Sequence, residues 1–313
     1  MDARPERNLT DTNVLRLHDG RRIGYAEYGD PDGLPVFALH GTPGSRFMFA
    51  LTNEAAQERG LRLIAPERPG YGLSEFRHAD SLGDIATDVV ALADALGIGR
   101  CAIIGVSGGG PHAVAAAAAL RERVALLALI SPVGPIAFGA NTISLSFMHK
   151  IIFLRMGRSP SLCRGFFYGL RAVLRFAPDF ARGLLKRRVP PSDRAMFARP
   201  EVLANLQDAV REGLRRDLDG AVQDLRLFTR SWDMTLAELD VPAVLWQGSD
   251  DPIVPPEAAY LLARSLPRCR LEVIEEAGHY WIFGRFNIVL DSAAAALAPR
   301  PALAARPAAN SDD

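Results

Sequence analysis

The chain has 313 residues, is 49% hydrophobic, and balances 36 basic against 36 acidic side chains, so its formal charge is zero. That length supports one large core, or one core with a small accessory domain. The charge balance gives no reason to expect nucleic acid or an acidic polymer as a partner, which leaves a small molecule as the expected ligand.

Three widely separated cysteines, Cys101, Cys163 and Cys269, form neither a disulfide framework nor a metal-ligand spacing. A reducing, cytoplasmic setting is expected. Residues 1–10 are polar and lack the apolar stretch of a signal peptide. No run approaches the roughly 20 apolar residues of a spanning helix, so no stable membrane insertion is expected. Nothing in the sequence sets the oligomeric state.

Residues 14–28 alternate apolar and polar around His18-Asp19-Gly20, which predicts an antiparallel hairpin. Short apolar runs then alternate with helical patterns. Strands are expected over 36–39, 61–65, 101–105 and 124–130, with helices over 47–59, 81–96 and 108–120. Ser81 followed by Asp84 is a variant of the capping-box pattern. Continuous apolar strands separated by helices predict a parallel sheet covered on both faces.

After Ser131 the rhythm stops. Residues 133–232 show helical periodicity without a convincing strand. The alternation resumes with a strand over 243–247, a helix over 256–266, a strand over 271–274 and a helix over 281–296. The middle therefore reads as a helical insertion in one α/β domain. From about 298 the chain is rich in Ala and Pro and reads as a disordered tail.

Gly105-Val106-Ser107-Gly108-Gly109 fits G-x-S-x-G. It follows a buried strand and opens a helix, the setting a nucleophile elbow needs. The tight turn demands glycine flanks, where a Cβ would clash. The serine hydroxyl then stands at the edge of the sheet, and the helix start behind it offers free N–H groups to developing negative charge. Val106 and His112, about one helical turn past Ser107, are candidate pocket-lining residues.

His40-Gly41-Thr42-Pro43-Gly44 follows the 36–39 strand. The N–H of Thr42 would join that of Gly108 in an oxyanion hole, each donor contributing on the order of 3 kcal/mol to a transition state. Gly41 allows close approach of a substrate. His40 is better read as a brace for this loop than as a catalytic group.

Past the 243–247 strand come Asp250 and Asp251, and past the 271–274 strand comes His279. Asp251, followed directly by Pro-Ile-Val-Pro, is the stronger acid candidate, with Asp250 second. A histidine titrating near neutrality can take the serine proton and return it to a leaving group. The aspartate would orient the ring and stabilise its imidazolium.

Four motifs in this order resemble the α/β-hydrolase superfamily across residues 15–297. They are His40-Gly-Thr-Pro-Gly-Ser45, Arg68-Pro-Gly-Tyr-Gly-Leu-Ser74, Gly105-Val-Ser-Gly-Gly-Gly110, and Gly248-Ser-Asp-Asp-Pro-Ile-Val-Pro255 with Gly278-His279. The resemblance implies an α/β fold with an eight-stranded, mostly parallel sheet and helices on both faces. It implies a helical cap over 137–232 between core segments 11–136 and 233–297, ahead of the tail over 298–313, and no cofactor. It also implies a serine hydrolase cleaving a carboxylic ester, thioester or amide through an acyl-enzyme on Ser107.

Carbon–carbon hydrolysis, perhydrolysis or lyase chemistry with the same triad is the alternative, and a non-catalytic ligand-binding member the third reading. Epoxide hydrolases and haloalkane dehalogenases carry Asp where this chain has Ser107, which argues against both. The Gly-Gly-Ser-Trp-Gly elbow usual in proline iminopeptidases is also missing. Residues 150–199 hold 12 basic residues against Asp179 and Asp193, interleaved with aromatics. Amphipathic helices with their arginines facing water account for this pattern, and a cap that attracts acidic or amphiphilic substrates is the sharper alternative.

Overall fold

A computed structural model describes residues 12–135, 155–188 and 191–299. Its centre is an eight-stranded sheet in the order β1-β2-β4-β3-β5-β6-β7-β8. The strands are β1 (Asn13–Arg16), β2 (Arg22–Gly29), β3 (Leu34–Leu39), β4 (Leu61–Pro66), β5 (Cys101–Val106), β6 (Val124–Ile130), β7 (Ala243–Gly248) and β8 (Cys269–Ile274). β2 runs antiparallel to both β1 and β4, and every other pairing is parallel. The expected hairpin and mostly parallel sheet are both present.

The two faces of the sheet are buried in different cores, as the period of two in a strand requires. Phe37, Leu39, Ile64, Ile103, Leu127 and Leu245 pack under helices α2 (Leu82–Ala95), α3 (Gly109–Leu120) and the later helix Pro256–Ser265. Their strand neighbours Val36, Ala38, Leu63, Ile104, Ala128 and Trp246 pack on the opposite face, against the C-terminal helix Asn287–Leu297. Burial on both faces explains why these strands read as unbroken apolar runs. Ser81 caps α2, accepting from the Asp84 N–H while the Asp84 carboxylate accepts from the Ser81 N–H.

Two expected helices differ from the reading of the sequence. Residues 46–57 begin as a 3₁₀ turn, Arg46–Thr52, before a short α1, Asn53–Gln57. The expected helix over 281–296 is broken into Ile282–Arg285 and Asn287–Leu297. Periodicity does not distinguish a 3₁₀ turn or a one-residue break from a continuous helix, because both leave the same side burying the same residues.

Between β6 and β7 the described chain is helical: α4 (Pro160–Phe176), α5 (Pro178–Arg188), α6 (Arg194–Phe197), α7 (Pro200–Gly213) and α8 (Asp219–Phe228). Pro160 and Pro200 open their helices at the first turn, where a missing N–H costs nothing. The start of the expected cap, residues 137–154, and the tail beyond 299 lie outside the described residues. Phe167, Leu218, Leu225 and Phe228 of the insertion bury against Tyr71, Val133 and Val254, which belong to loops at the carboxyl edge of the sheet. The insertion therefore sits over that edge. Among the described residues no helix is long and apolar enough to cross a membrane.

Candidate active site

Ser107 follows the last residue of β5 with φ of 53°. This left-handed backbone costs a residue bearing a Cβ, and it turns the chain sharply from strand into α3. The turn is held by the Ser107 N–H on the Ile130 carbonyl at 2.8 Å and by the Ser107 carbonyl, which accepts from Gly110 and Val133. The surrounding glycines are forced by close approach. A Cβ on Gly109 would lie 2.2 Å from the Leu39 carbonyl oxygen, and one on Gly105 would lie 2.6 Å from the Ala113 Cβ.

His279 comes to Ser107 from the loop after β8. Its Nε2 stands 3.0 Å from Ser107 Oγ, and its Nδ1 stands 2.7 Å from Asp251 Oδ2. The other Asp251 oxygen accepts from the N–H groups of Ile253 and Val254, and Gln247 donates its amide to Oδ2 at 3.0 Å. Asp250 points elsewhere: it is exposed and accepts from the Ser249 hydroxyl. Three residues separated by up to 172 positions are thus brought into one hydrogen-bonded line.

The electrostatics match this line. Burial disfavours the imidazolium of His279, but the carboxylate of Asp251 outweighs it and raises the histidine above its ordinary value, with a smaller push from Asp193. Burial likewise opposes the charged form of Asp251, yet His279 and the two loop N–H groups hold it below the usual carboxylate range. Such a pair can draw the proton from a serine hydroxyl without the aspartate becoming protonated.

Thr42 lies against the elbow: a Cβ on Gly108 would meet Thr42 Oγ1 at 2.4 Å and the Thr42 nitrogen at 3.0 Å. The two backbone amides are therefore neighbours beside Ser107. The thioether sulfur of Met48, Sδ, accepts from the Gly41 N–H at 3.3 Å. His40 is fully buried and its Nδ1 lies 2.8 Å from the Gly41 carbonyl oxygen. Burial and the nearby Arg68 guanidinium hold its ring well below the ordinary histidine value.

A cavity of about 420 Å³ opens on Ser107 and His279. Gly41, Thr42 and Val106 line it from the core, as the sequence suggested for the first and third. Leu170, Val173, Leu174, Leu206 and Val210 line it from the insertion. His112 is a correction. It does not line this cavity but is buried beside Phe228, with Nε2 3.0 Å from Asp224 Oδ1. On α3 its position faces the insertion's last helix rather than the space above Ser107.

Arg171 and Arg175 are also outside the cavity. They line a separate depression with Arg211, Glu212 and Arg215, and the two spaces share Leu174. Among the described residues the cavity wall carries no lysine or arginine.

Two acids escaped the reading of the sequence. Asp193 accepts from the backbone of His279 and Tyr280, and Asp224 accepts from Thr42, Arg68, Tyr71 and His112. The one local signal was that Asp193 is one of two acids in the basic stretch 150–199. Neither has a motif of its own.

With this geometry in place, the likeness to known proteins is informative. A family model described as the alpha/beta hydrolase fold matches residues 35–285. The chain belongs to the α/β-hydrolase family, and it is a hydrolase. It is similar to Lipase 1 of Psychrobacter immobilis, 27% identical over 281 residues, which covers 88% of this chain and 80% of that one. It is also similar to 2-hydroxymuconate semialdehyde hydrolase of Pseudomonas putida, 28% identical over 276 residues, covering 84% and 86%. Among solved structures it resembles a thermophilic esterase from Thermogutta terrifontis, with a TM-score of 0.64 and 25% identity over 90% of this chain and 96% of that one.

Proposed function

We propose that the protein is a serine esterase that cleaves a carboxylic ester with an uncharged, apolar acyl group. The observation that carries this reading is the 3.0 Å approach of His279 Nε2 to Ser107 Oγ, at a left-handed turn that borders the cavity. In this mechanism His279 takes the Ser107 proton as Oγ attacks the ester carbonyl. The N–H groups of Thr42 and Gly108 receive the oxyanion. His279 then protonates the departing alcohol, leaving an acyl-enzyme. Water deprotonated by His279 attacks it, and the acid leaves as Ser107 regains its proton.

The wall of the cavity supports the substrate class. Aliphatic side chains dominate it, with Thr42, Gln207 and Tyr280 as polar members besides Ser107 and His279. Its volume falls in the lower part of the roughly 300–1,000 Å³ range of small-molecule sites. Transfer of a short or medium acyl chain into such a wall is favourable by about 0.8 kcal/mol per methylene. The helical insertion acts as the cap that supplies this wall, and the sparse cysteines fit a cytoplasmic enzyme.

A second reading is carbon–carbon bond hydrolysis with the same three residues, supported by the likeness to 2-hydroxymuconate semialdehyde hydrolase. The deciding assay uses p-nitrophenyl esters of increasing acyl length on wild type and Ser107→Ala. Turnover with a chain-length optimum, lost in Ser107→Ala, is the expected result. Equal activity, or equal inactivity, in both proteins would overturn the esterase reading.

A further inference from the structure

Asp193 stands at the start of α6, at the position where an aspartate ordinarily accepts from the first N–H groups of its own helix. Its side chain makes no such bond. Both oxygens turn instead to the loop after β8: Oδ2 accepts from the His279 N–H at 2.9 Å and Oδ1 from the Tyr280 N–H at 2.9 Å. The residue is fully buried. A carboxylate with two backbone donors is a strong, directional tie in such a setting.

The packing around this tie is built for it. Gly278 is hydrogen-only where the carboxylate passes: a Cβ there would lie 2.3 Å from Asp193 Oδ2. The Phe197 ring meets the Tyr280 ring edge-on, with centroids 4.8 Å apart, and the Tyr280 ring meets His279 in the same manner at 5.3 Å. Arg199 donates to the Phe283 carbonyl at 3.2 Å. A continuous stretch of the insertion thus grips the segment that carries His279.

We infer that Asp193 is a positioning residue for His279, so that the insertion holds the catalytic base in place as well as walling the cavity. This rests on the esterase reading above, in which His279 is the base. The carboxylate fixes the backbone of His279, while Asp251 fixes its ring. A base displaced by about 1 Å loses on the order of 100-fold in rate, so the tie acts on kcat more than on KM.

The charged and titratable groups facing His279 are Asp251 from the loop after β7, Asp193 from the insertion, and the Tyr280 phenol from its own loop, with the Ser107 hydroxyl opposite. Loss of the Asp193 charge removes one of the two anions that favour the imidazolium. The acid limb of kcat/KM therefore moves to lower pH when Asp193 is neutralised.

The test compares wild type, Asp193→Asn, Asp193→Ala, Gly278→Ala and the double variant of the last two, using p-nitrophenyl ester kinetics and the rate of fluorophosphonate labelling at Ser107. Asp193→Asn is expected to lower kcat and the labelling rate by about 10- to 100-fold, with KM within about threefold. Its acid limb shifts to lower pH. Gly278→Ala breaks the same contact from the other side and lowers kcat similarly. Added to Asp193→Ala, where the clash is gone, the same Gly278→Ala change costs little more, a non-additivity expected only of a direct contact.

If Asp193→Asn does not fold, the Gly278→Ala protein decides by the same readouts. A folded variant with wild-type kcat, labelling rate and acid limb overturns the inference. Absence of labelling in the wild type instead overturns the esterase reading itself, which keeps the two failures apart.

Discussion

The carboxylate of Asp224 accepts a hydrogen bond from the Thr42 hydroxyl at 2.6 Å, across 182 residues of chain. The same oxygen accepts from Arg68 Nη2 at 2.7 Å and from the Tyr71 hydroxyl at 2.6 Å, and the other oxygen faces His112 Nε2. Asp224 is nearly wholly buried and lies on α8, where the insertion returns to the core. Burial opposes its charge, but Arg68 and the surrounding donors hold it far below the usual carboxylate range. Arg68 in turn donates to the carbonyls of His40 and Gly41. One buried acid thereby joins the Arg68–Ser74 loop, the Thr42 loop and α3.

Replacement of Asp224 by Ala leaves the Arg68 guanidinium buried without its counter-charge. A loss on the order of 3–5 kcal/mol in unfolding free energy is expected, read from urea denaturation. Thr42 also loses its side-chain anchor, so a conservative Asp224→Asn protein that stays folded should show a kcat about tenfold or more lower with Ser107 still present. A variant as stable and active as wild type would contradict this account.

The two adjacent acids, Asp250 and Asp251, separate cleanly in kinetics. Asp251→Asn should lower kcat by about 10⁴-fold, in the range seen when a triad acid is replaced. Asp250→Asn, at an exposed side chain bonded to Ser249, should stay within about threefold. The reverse order of effects would reassign the acid.

The pH profile follows from His279. With His279 as the base of the proposed mechanism, it must be neutral to accept a proton, so kcat/KM should rise with pH through its pKa in the free enzyme. Asp251 raises that pKa, with a smaller contribution from Asp193, against the opposing effect of burial. The acid limb should therefore fall above the ordinary value of about 6.5, and in the residual activity of Asp251→Asn it should move lower. A limb at or below the ordinary value in wild type would contradict the arrangement.

On the esterase reading, the aliphatic wall of the cavity selects the acyl chain length. Val173 on α4 faces the cavity, and Val173→Trp would fill part of its volume. The optimum among p-nitrophenyl esters should shift to shorter chains, with kcat/KM for the longest good substrate down by roughly 10- to 200-fold. Acetate ester turnover should stay within about threefold. An unchanged optimum would place the acyl group elsewhere.

Much of this molecule is decided locally. The unbroken apolar runs of Cys101–Val106 and Val124–Ile130 place buried parallel strands because neither face of them meets water. Gly105, Gly108 and Gly109 around Ser107 state a turn too tight for a Cβ, and the positions of Asp251 and His279 just past β7 and β8 set them at the same sheet edge. Each of these follows from neighbours within a few residues, so sequence alone determined the fold class and the sheet edge that Ser107, His279 and an acid share, while only the tertiary structure chose Asp251 over Asp250.

Asp193, Asp224 and His112 are different, because their partners lie 86 to 182 positions away and carry no shared pattern. Only the packing of the insertion over the sheet edge decides that Asp193 abandons its own helix for His279. The same packing turns His112 from the cavity toward Asp224 and leaves Arg171 and Arg175 of α4 in a separate depression. A helix's periodicity says which side is buried, whereas the partner on that side depends on where the chain returns.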